Sequence, residues 1–157
     1  MKTKAEAVRT VATNRKAYHD YFIEDTLEAG IALTGTEIKS VRAGQVNLRD
    51  SFAIIKEGEV WLLNAHIATY RGASYFNHDP RRPRKLLLHR YEINRLIGKV
   101  QEKGFTLIPL RMYLKNNLAK VEIGLARGKK QFDKRAALRE RESRREIERA
   151  VARHGRE

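Results

Sequence analysis

Phe105-Thr106-Leu107-Ile108-Pro109-Leu110-Arg111-Met112-Tyr113-Leu114-Lys115-Asn116-Asn117-Leu118-Ala119-Lys120-Val121-Glu122-Ile123-Gly124-Leu125-Ala126 is the stretch whose reading decides the fold. Two apolar runs, 105–114 and 118–126, flank an Asn-Asn pair. In the second run Leu118, Val121, Ile123 and Leu125 stand mostly two apart, the period of a strand with one buried face. The stretch predicts two strands joined at Asn116-Asn117, a pair suited to tight turns.

Working back from it, Gly104 stops a helix predicted over 89–103, where Ile93, Leu96, Ile97 and Val100 recur at three- and four-residue spacing. Gly98 inside that helix costs about 1 kcal/mol relative to Ala, so a packing reason is expected for it. Leu86-Leu87-Leu88 reads as a buried strand or the start of that helix. Pro80 and Pro83 exclude a helix from the irregular stretch 69–84. Residues 51–56 and 59–65 form a second hairpin around Glu57-Gly58, with Trp61 expected in the core. Residues 35–44 read as a short helix capped by Thr36 and ended by Gly44. Aromatic and β-branched residues at 18–24 suit a strand, which 29–33 continues or pairs with.

Six short strands interrupted by two helices, without strand–helix–strand alternation, argue against a parallel sheet. The fold class is therefore mainly β with short helices, an OB-like antiparallel six-stranded β-barrel. A ferredoxin-like sandwich is the second choice. The predicted organisation is a flexible basic arm over 1–13, a barrel over 14–126 and a basic tail over 127–157.

Charge points to the partner class. The 157 residues carry a formal net charge of +14, with a pI of about 10.3. Residues 17–80 hold five basic and nine acidic residues, whereas 81–126 hold eleven and three and 127–157 twelve and six. Such segregation marks a cationic surface that meets phosphate. Asn14, Arg15, Lys16 and His19 gather cations and rings beside the first strand, and Arg81, Arg82, Arg84 and Lys85 crowd a proline-stiffened loop. Guanidinium forks suit phosphate, and stiffness lowers the entropy lost on binding. The tail is helix-favouring in composition yet too poor in apolar residues to order alone.

Other classes find little support. The chain has no cysteine, so thiolate metal sites are excluded. His19, His66, His78, His89 and His154 are too scattered for metal-ligand spacing. Neither a Walker loop nor a His-Glu-x-x-His pattern occurs, and no cofactor or enzymatic activity is expected. No apolar run approaches a membrane span, and the first residues lack a signal-peptide core, so a cytoplasmic protein is expected.

Several strings, in this order, resemble those of one family: Asn14-Arg15-Lys16-Ala17, Glu28-Ala29-Gly30-Ile31, Gly35-Thr36-Glu37-Ile38-Lys39-Ser40, Asn47-Leu48-Arg49-Asp50-Ser51, Asn77-His78-Asp79-Pro80, Arg84-Lys85-Leu86-Leu87-Leu88-His89, and Gly128-Lys129-Lys130 before Asp133-Lys134-Arg135. The family is the bacterial SsrA-binding proteins, also called small protein B or SmpB. The resemblance implies an OB-like fold and no enzymatic activity. It implies a trans-translation adaptor that binds the tRNA-like domain of transfer-messenger RNA and delivers it, with elongation factor Tu, to stalled ribosomes. On this resemblance Asn14, Glu28, Lys39, Asn47 and Leu88 join the basic residues above as RNA-binding candidates. Glu28 would accept bonds from a base edge or ribose hydroxyl, or hold a neighbouring Arg. Gly128, Lys129, Lys130, Phe132, Asp133, Lys134 and Arg135 would meet the decoding centre and mRNA channel, where the tail becomes helical. A monomer is expected. Composition alone leaves a generic RNA chaperone or ribosome-associated protein as the alternative.

Overall fold

Residues 7–70 and 77–129 are described by a computed structural model of the chain. The hairpin read from 105–126 is its spine. Strands β8 (Thr106–Lys115) and β9 (Leu118–Gly128) pair antiparallel along their length. Asn116 and Asn117 have φ of 50° and 65°, the two successive positive values of a type I′ turn, whose twist matches the flanking strands.

Around this hairpin the other strands close a ring. Strand β4 (Phe52–Lys56) pairs with β5 (Glu59–Leu63), β5 with β7 (Arg84–Leu87), β7 with β2 (Tyr21–Ile31), and β2 with β9. The ring returns to β8 through Ala53 opposite Leu107. All these pairings are antiparallel and six strands make the ring, so the OB-like reading holds. The 86–88 alternative resolves as strand β7, and the strand expected from residue 18 begins at Tyr21 and runs on through 31. Val60, Leu62, Leu86, Leu107, Met112, Val121 and Ile123 fill the interior.

Several features differ from the sequence reading of the first half. Val8–Thr13 is not loose chain but a strand, β1, paired with residues 111–115 of β8. Its partner lies a hundred residues away, beyond the reach of any local pattern. Arg15–Asp20, expected at the start of a strand, is helix α1. There the Asn14 cap outweighs the β preference of the rings that follow. Trp61 is only half-buried, because alternation along β5 turns Val60 and Leu62 inward instead.

Two further helices flank the ring. Helix α2 (Gly35–Arg42) is capped by Thr34, not Thr36. Glu37 N–H donates to the Thr34 hydroxyl, and Glu37 Oε1 accepts from Thr34 N–H at 2.9 Å, a reciprocal capping box. Thr36 instead bonds His78 Nδ1 at 2.8 Å. Helix α3 (Arg90–Lys103) buries Leu96 and ends at Gly104 with φ of 66°. Nothing stands within 4 Å of where a Gly98 Cβ would lie, so the expected packing reason is absent among the described residues. A two-stranded ladder, β3 (Val46–Asn47) with β6 (His66–Ile67), braces one end of the barrel. None of the described helices is long and apolar enough to cross a membrane.

Candidate nucleic-acid interface

The cationic loop at 81–85 separates into roles that its sequence does not distinguish. Arg84 is fully buried, at 0% exposure. Its Nε donates to Glu37 Oε2 at 2.5 Å, Nη1 to the Ala65 carbonyl at 2.7 Å, and Nη2 to the Pro80 and Asp79 carbonyls at 3.1 and 3.3 Å. Four of its five N–H donors are engaged and the group is sealed from solvent, so the candidacy of Arg84 as a direct RNA contact fails for that reason. Arg82 caps the same buried carboxylate, Nη2 to Glu37 Oε1 at 2.5 Å, with part of its side chain exposed. Burial pushes the Glu37 carboxyl up. The bonds from Arg82, the Thr34 N–H and Arg84 outweigh that and hold it below the usual carboxylate range. Lys85 is half-exposed and paired with Glu59 at 2.9 Å. Arg81 is the exposed arginine of the set.

Arg81 leads into a surface chain that joins three segments. Its Nη1 donates to Asn64 Oδ1 at 2.8 Å, Asn64 Nδ2 donates to the Asp50 carbonyl at 3.0 Å, and Lys16 Nζ meets Asp50 Oδ1 at 2.5 Å. Asp50 and Asn64 both adopt φ of 62°, so each reverses the chain at a tight turn where short polar side chains are tolerated. Arg49 Nε lies 3.9 Å from Asp50 Oδ2 with its side chain largely exposed. The Asp50 carboxyl is held low, chiefly by the Lys16 hydrogen bond. Asn47 faces His66 across the β3–β6 ladder, and its Oδ1 accepts from Arg49 N–H at 2.9 Å. Lys16, Asn47 and Arg81, predicted separately, thus belong to one end of the barrel. Arg49, Asn64 and His66 join them there. Arg49 lay inside a quoted family string, whereas Asn64 carries no local signal at all.

Asn14 is buried at 4% exposure. Its Oδ1 accepts from Ala17 N–H at 3.2 Å, its Nδ2 donates to the Pro109 carbonyl at 2.9 Å, and its backbone N–H donates to the Leu110 carbonyl at 2.7 Å. It therefore fixes α1 against β8 and presents the exposed Arg15, Lys16 and His19. His19 Nδ1 lies 2.9 Å from Asp20 Oδ1. Asn14→Ala removes a cap and strands a buried carbonyl, so it should cost about 2–3 kcal/mol. That corresponds to a melting temperature roughly 8 °C lower. Weaker RNA binding with unchanged melting would instead make Asn14 a direct contact.

The remaining candidates lie elsewhere. Glu28 sits on the outer face of β2, where the Tyr113 hydroxyl donates to it and Lys115 Nζ approaches both oxygens at 3.5 Å. The Tyr113 bond is the main reason its carboxyl lies below the ordinary range. Burial and this carboxylate push the Tyr113 phenol upward. Glu28 pairs across the ladder with Glu122, which Arg111 neutralises at 3.3 Å. Sequence reasoning missed both Tyr113 and Arg111. Lys39 is exposed and stands 5.3 Å from the Tyr70 ring centroid. Leu88 packs against the core, half-buried. Gly128 ends β9, and Lys129 Nζ reaches the Tyr18 carbonyl at 3.4 Å and the Phe22 ring at 5.0 Å. Lys130, Phe132, Asp133, Lys134 and Arg135 lie outside the described residues.

The chain is similar to known proteins over nearly its whole length. It is 61% identical over 143 residues to the SsrA-binding protein of Shouchella clausii, covering 91% of this chain and 92% of that one. It is 65% identical over 144 residues to the SsrA-binding protein of a Roseiflexus species, covering 91% of each. A solved chain described under "tmRNA-SmpB: a journey to the center of the bacterial ribosome" superposes with a TM-score of 0.64 at 57% identity. That match covers 75% of this chain and 83% of that one. The family described as "SmpB protein" matches residues 11–153. With the closed OB-like ring and the joined basic turns already in place, this match establishes that the chain belongs to the SmpB family.

Proposed function

We propose that the chain is the RNA-binding adaptor of trans-translation. It binds the tRNA-like domain of transfer-messenger RNA and delivers it to stalled ribosomes for rescue and tagging of the nascent peptide. The observation that carries this reading is the linked chain Lys16–Asp50–Asn64–Arg81. It sets Arg15, Lys16, Arg49 and Arg81 in fixed relation at one end of a closed barrel, a spacing suited to the backbone of a folded RNA rather than to a base sequence. Lys39, Asn47, Arg82 and Lys85 extend that surface, with His19 on α1. Asn14, Arg84 and Leu88 shape it from beneath. Glu28 takes a hydrogen bond from a ribose hydroxyl or base edge. The protein acts as a cytoplasmic monomer, without enzymatic activity or cofactor, alongside elongation factor Tu. Gly128, Lys129 and the residues after them enter the decoding centre and mRNA channel.

Salt dependence tests the assignment. Arg49→Ala combined with Arg81→Ala should weaken binding to the tRNA-like RNA and flatten the salt slope by about two units, close to one per lost phosphate contact. Glu28→Ala should weaken binding and leave the slope unchanged, because it releases no counterion. Parental affinity for both variants at several salt concentrations would remove this surface from the interface.

A further inference from the structure

Where β7 hands over to α3, the fold displays apolar surface that it does not itself use. Leu87 is 52% exposed and Tyr91 73%. The Tyr91 ring lies nearly parallel to that of His89, with 8° between planes and 5.6 Å between centroids. Both rings are thereby oriented together at the surface, outside the hydrophobic clusters of the barrel. Arg90, between them in sequence, is exposed, and among the described residues no hydrogen bond or ion pair occupies it. A cleft of about 270 Å³ opens beside them, with Lys85, Leu87, Leu88 and Arg90 in its lining.

One cation beside these rings, Arg90, keeps its donors free for an anionic group, while the others are engaged. Glu92 accepts from His89 N–H at 3.0 Å, Glu59 holds Lys85 at 2.9 Å, and Asp25 holds Arg95 at 2.9 Å. Glu59 and Asp25 are ion-paired, Glu92 is held by a backbone N–H and keeps its charge, and Arg90 carries no ion pair among the described residues. A single exposed apolar residue is ordinary. A stacked aromatic pair with an unoccupied guanidinium and an exposed leucine beside it has the composition of a base-stacking platform. Bases within an A-form helix offer no free face to such a platform, so the ligand is an unpaired one.

We propose that His89 and Tyr91 form a stacking platform for one unpaired RNA base, with Arg90 on the adjoining phosphate. The proposal rests on the adaptor reading above. The base could belong to the tRNA-like RNA or to ribosomal RNA, and the test separates these sources.

The experiment uses the full chain carrying Tyr91→Ala, with Tyr91→Phe as the ring-preserving control. Both should melt within a degree or two of the parent, because the ring is outside the core. If the base is in the tRNA-like RNA, Tyr91→Ala should bind that isolated RNA about tenfold more weakly, equivalent to about 1.4 kcal/mol. Chemical probing should then show one base protected by the parent and by Tyr91→Phe but open with Tyr91→Ala. If binding is retained while peptide tagging on stalled ribosomes falls and a ribosomal base becomes open to probing, the base is ribosomal. Unchanged binding and tagging, or a loss that exposes no base, overturns the platform. Failure of the parent itself to bind the tRNA-like RNA would overturn the adaptor reading instead.

Discussion

Arg84→Ala should destabilise the protein by about 3–5 kcal/mol, whereas Arg81→Ala, three residues away, should change stability by less than about 0.5 kcal/mol. The contrast follows from where the two guanidinium groups lie. Arg81 ends on an exposed turn at Asn64. Arg84 is sealed inside and holds together β7, the 79–80 turn, the residue after Asn64 and the first turn of α2. Removing it strands the Ala65 carbonyl, takes one of two donors from each of the Asp79 and Pro80 carbonyls, and leaves Glu37 with Arg82 as its remaining guanidinium. Glu37→Gln should act in the same direction. The double variant Glu37→Gln, Arg84→Met should recover part of the loss, because a buried pair contributes less than either orphaned charge costs. The pair also sets an acid limb. The Glu37 carboxyl titrates below its unfolded value, so its stabilisation is complete above that unfolded value and disappears as pH falls through the lowered folded one. Urea melts of the four variants across acid pH would measure all of this. Equal stability of Arg84→Ala and Arg81→Ala would refute the structural role.

Replacing Asp133, Lys134 and Arg135 together by alanine should leave affinity for the isolated tRNA-like RNA within about threefold, under 1 kcal/mol, yet abolish peptide tagging at the end of a truncated message. The basis is positional. The last described residues leave β9 on the α1 side, with Lys129 held at Tyr18 and Phe22. Beyond them Arg141, Arg145, Arg149 and Arg153 recur four apart. On a helix that spacing forms one basic stripe suited to an RNA-lined channel. Tagging at the parental rate would make the tail a passive extension. A large loss of RNA affinity would move it into the first binding step.

What sequence conveyed about this molecule was local. Strands with a near neighbour, such as β8 and β9 across Asn116-Asn117 or β4 and β5 across Glu57-Gly58, declare themselves because alternation and turn chemistry lie within one window. Helix α3 did so through its three-and-four spacing. β1 did not, since Val8 finds Lys115 only in the folded chain. α1 was hidden because Asn14 reads equally well as a polar loop residue until its Pro109 partner is seen. The candidate surface followed the same division. Arg81 and Arg84 are indistinguishable in Arg-Arg-Pro-Arg-Lys, and Glu37, which buries one of them, lies 47 residues upstream. Clustered charge therefore located the neighbourhood of the interface, but long-range partners decided which cations remain available.

The closed ring also bears on how the protein is made. β9 is the last of the described strands to be synthesised, yet it bonds both β2 and β8. A nascent chain that stops before it has two unsatisfied strand edges, the kind of surface that templates aggregation. Closure waits until residue 128 has been polymerised. A chain truncated by a broken message anywhere upstream of β9 would be an unclosed precursor, exposed to proteolysis from the moment of release.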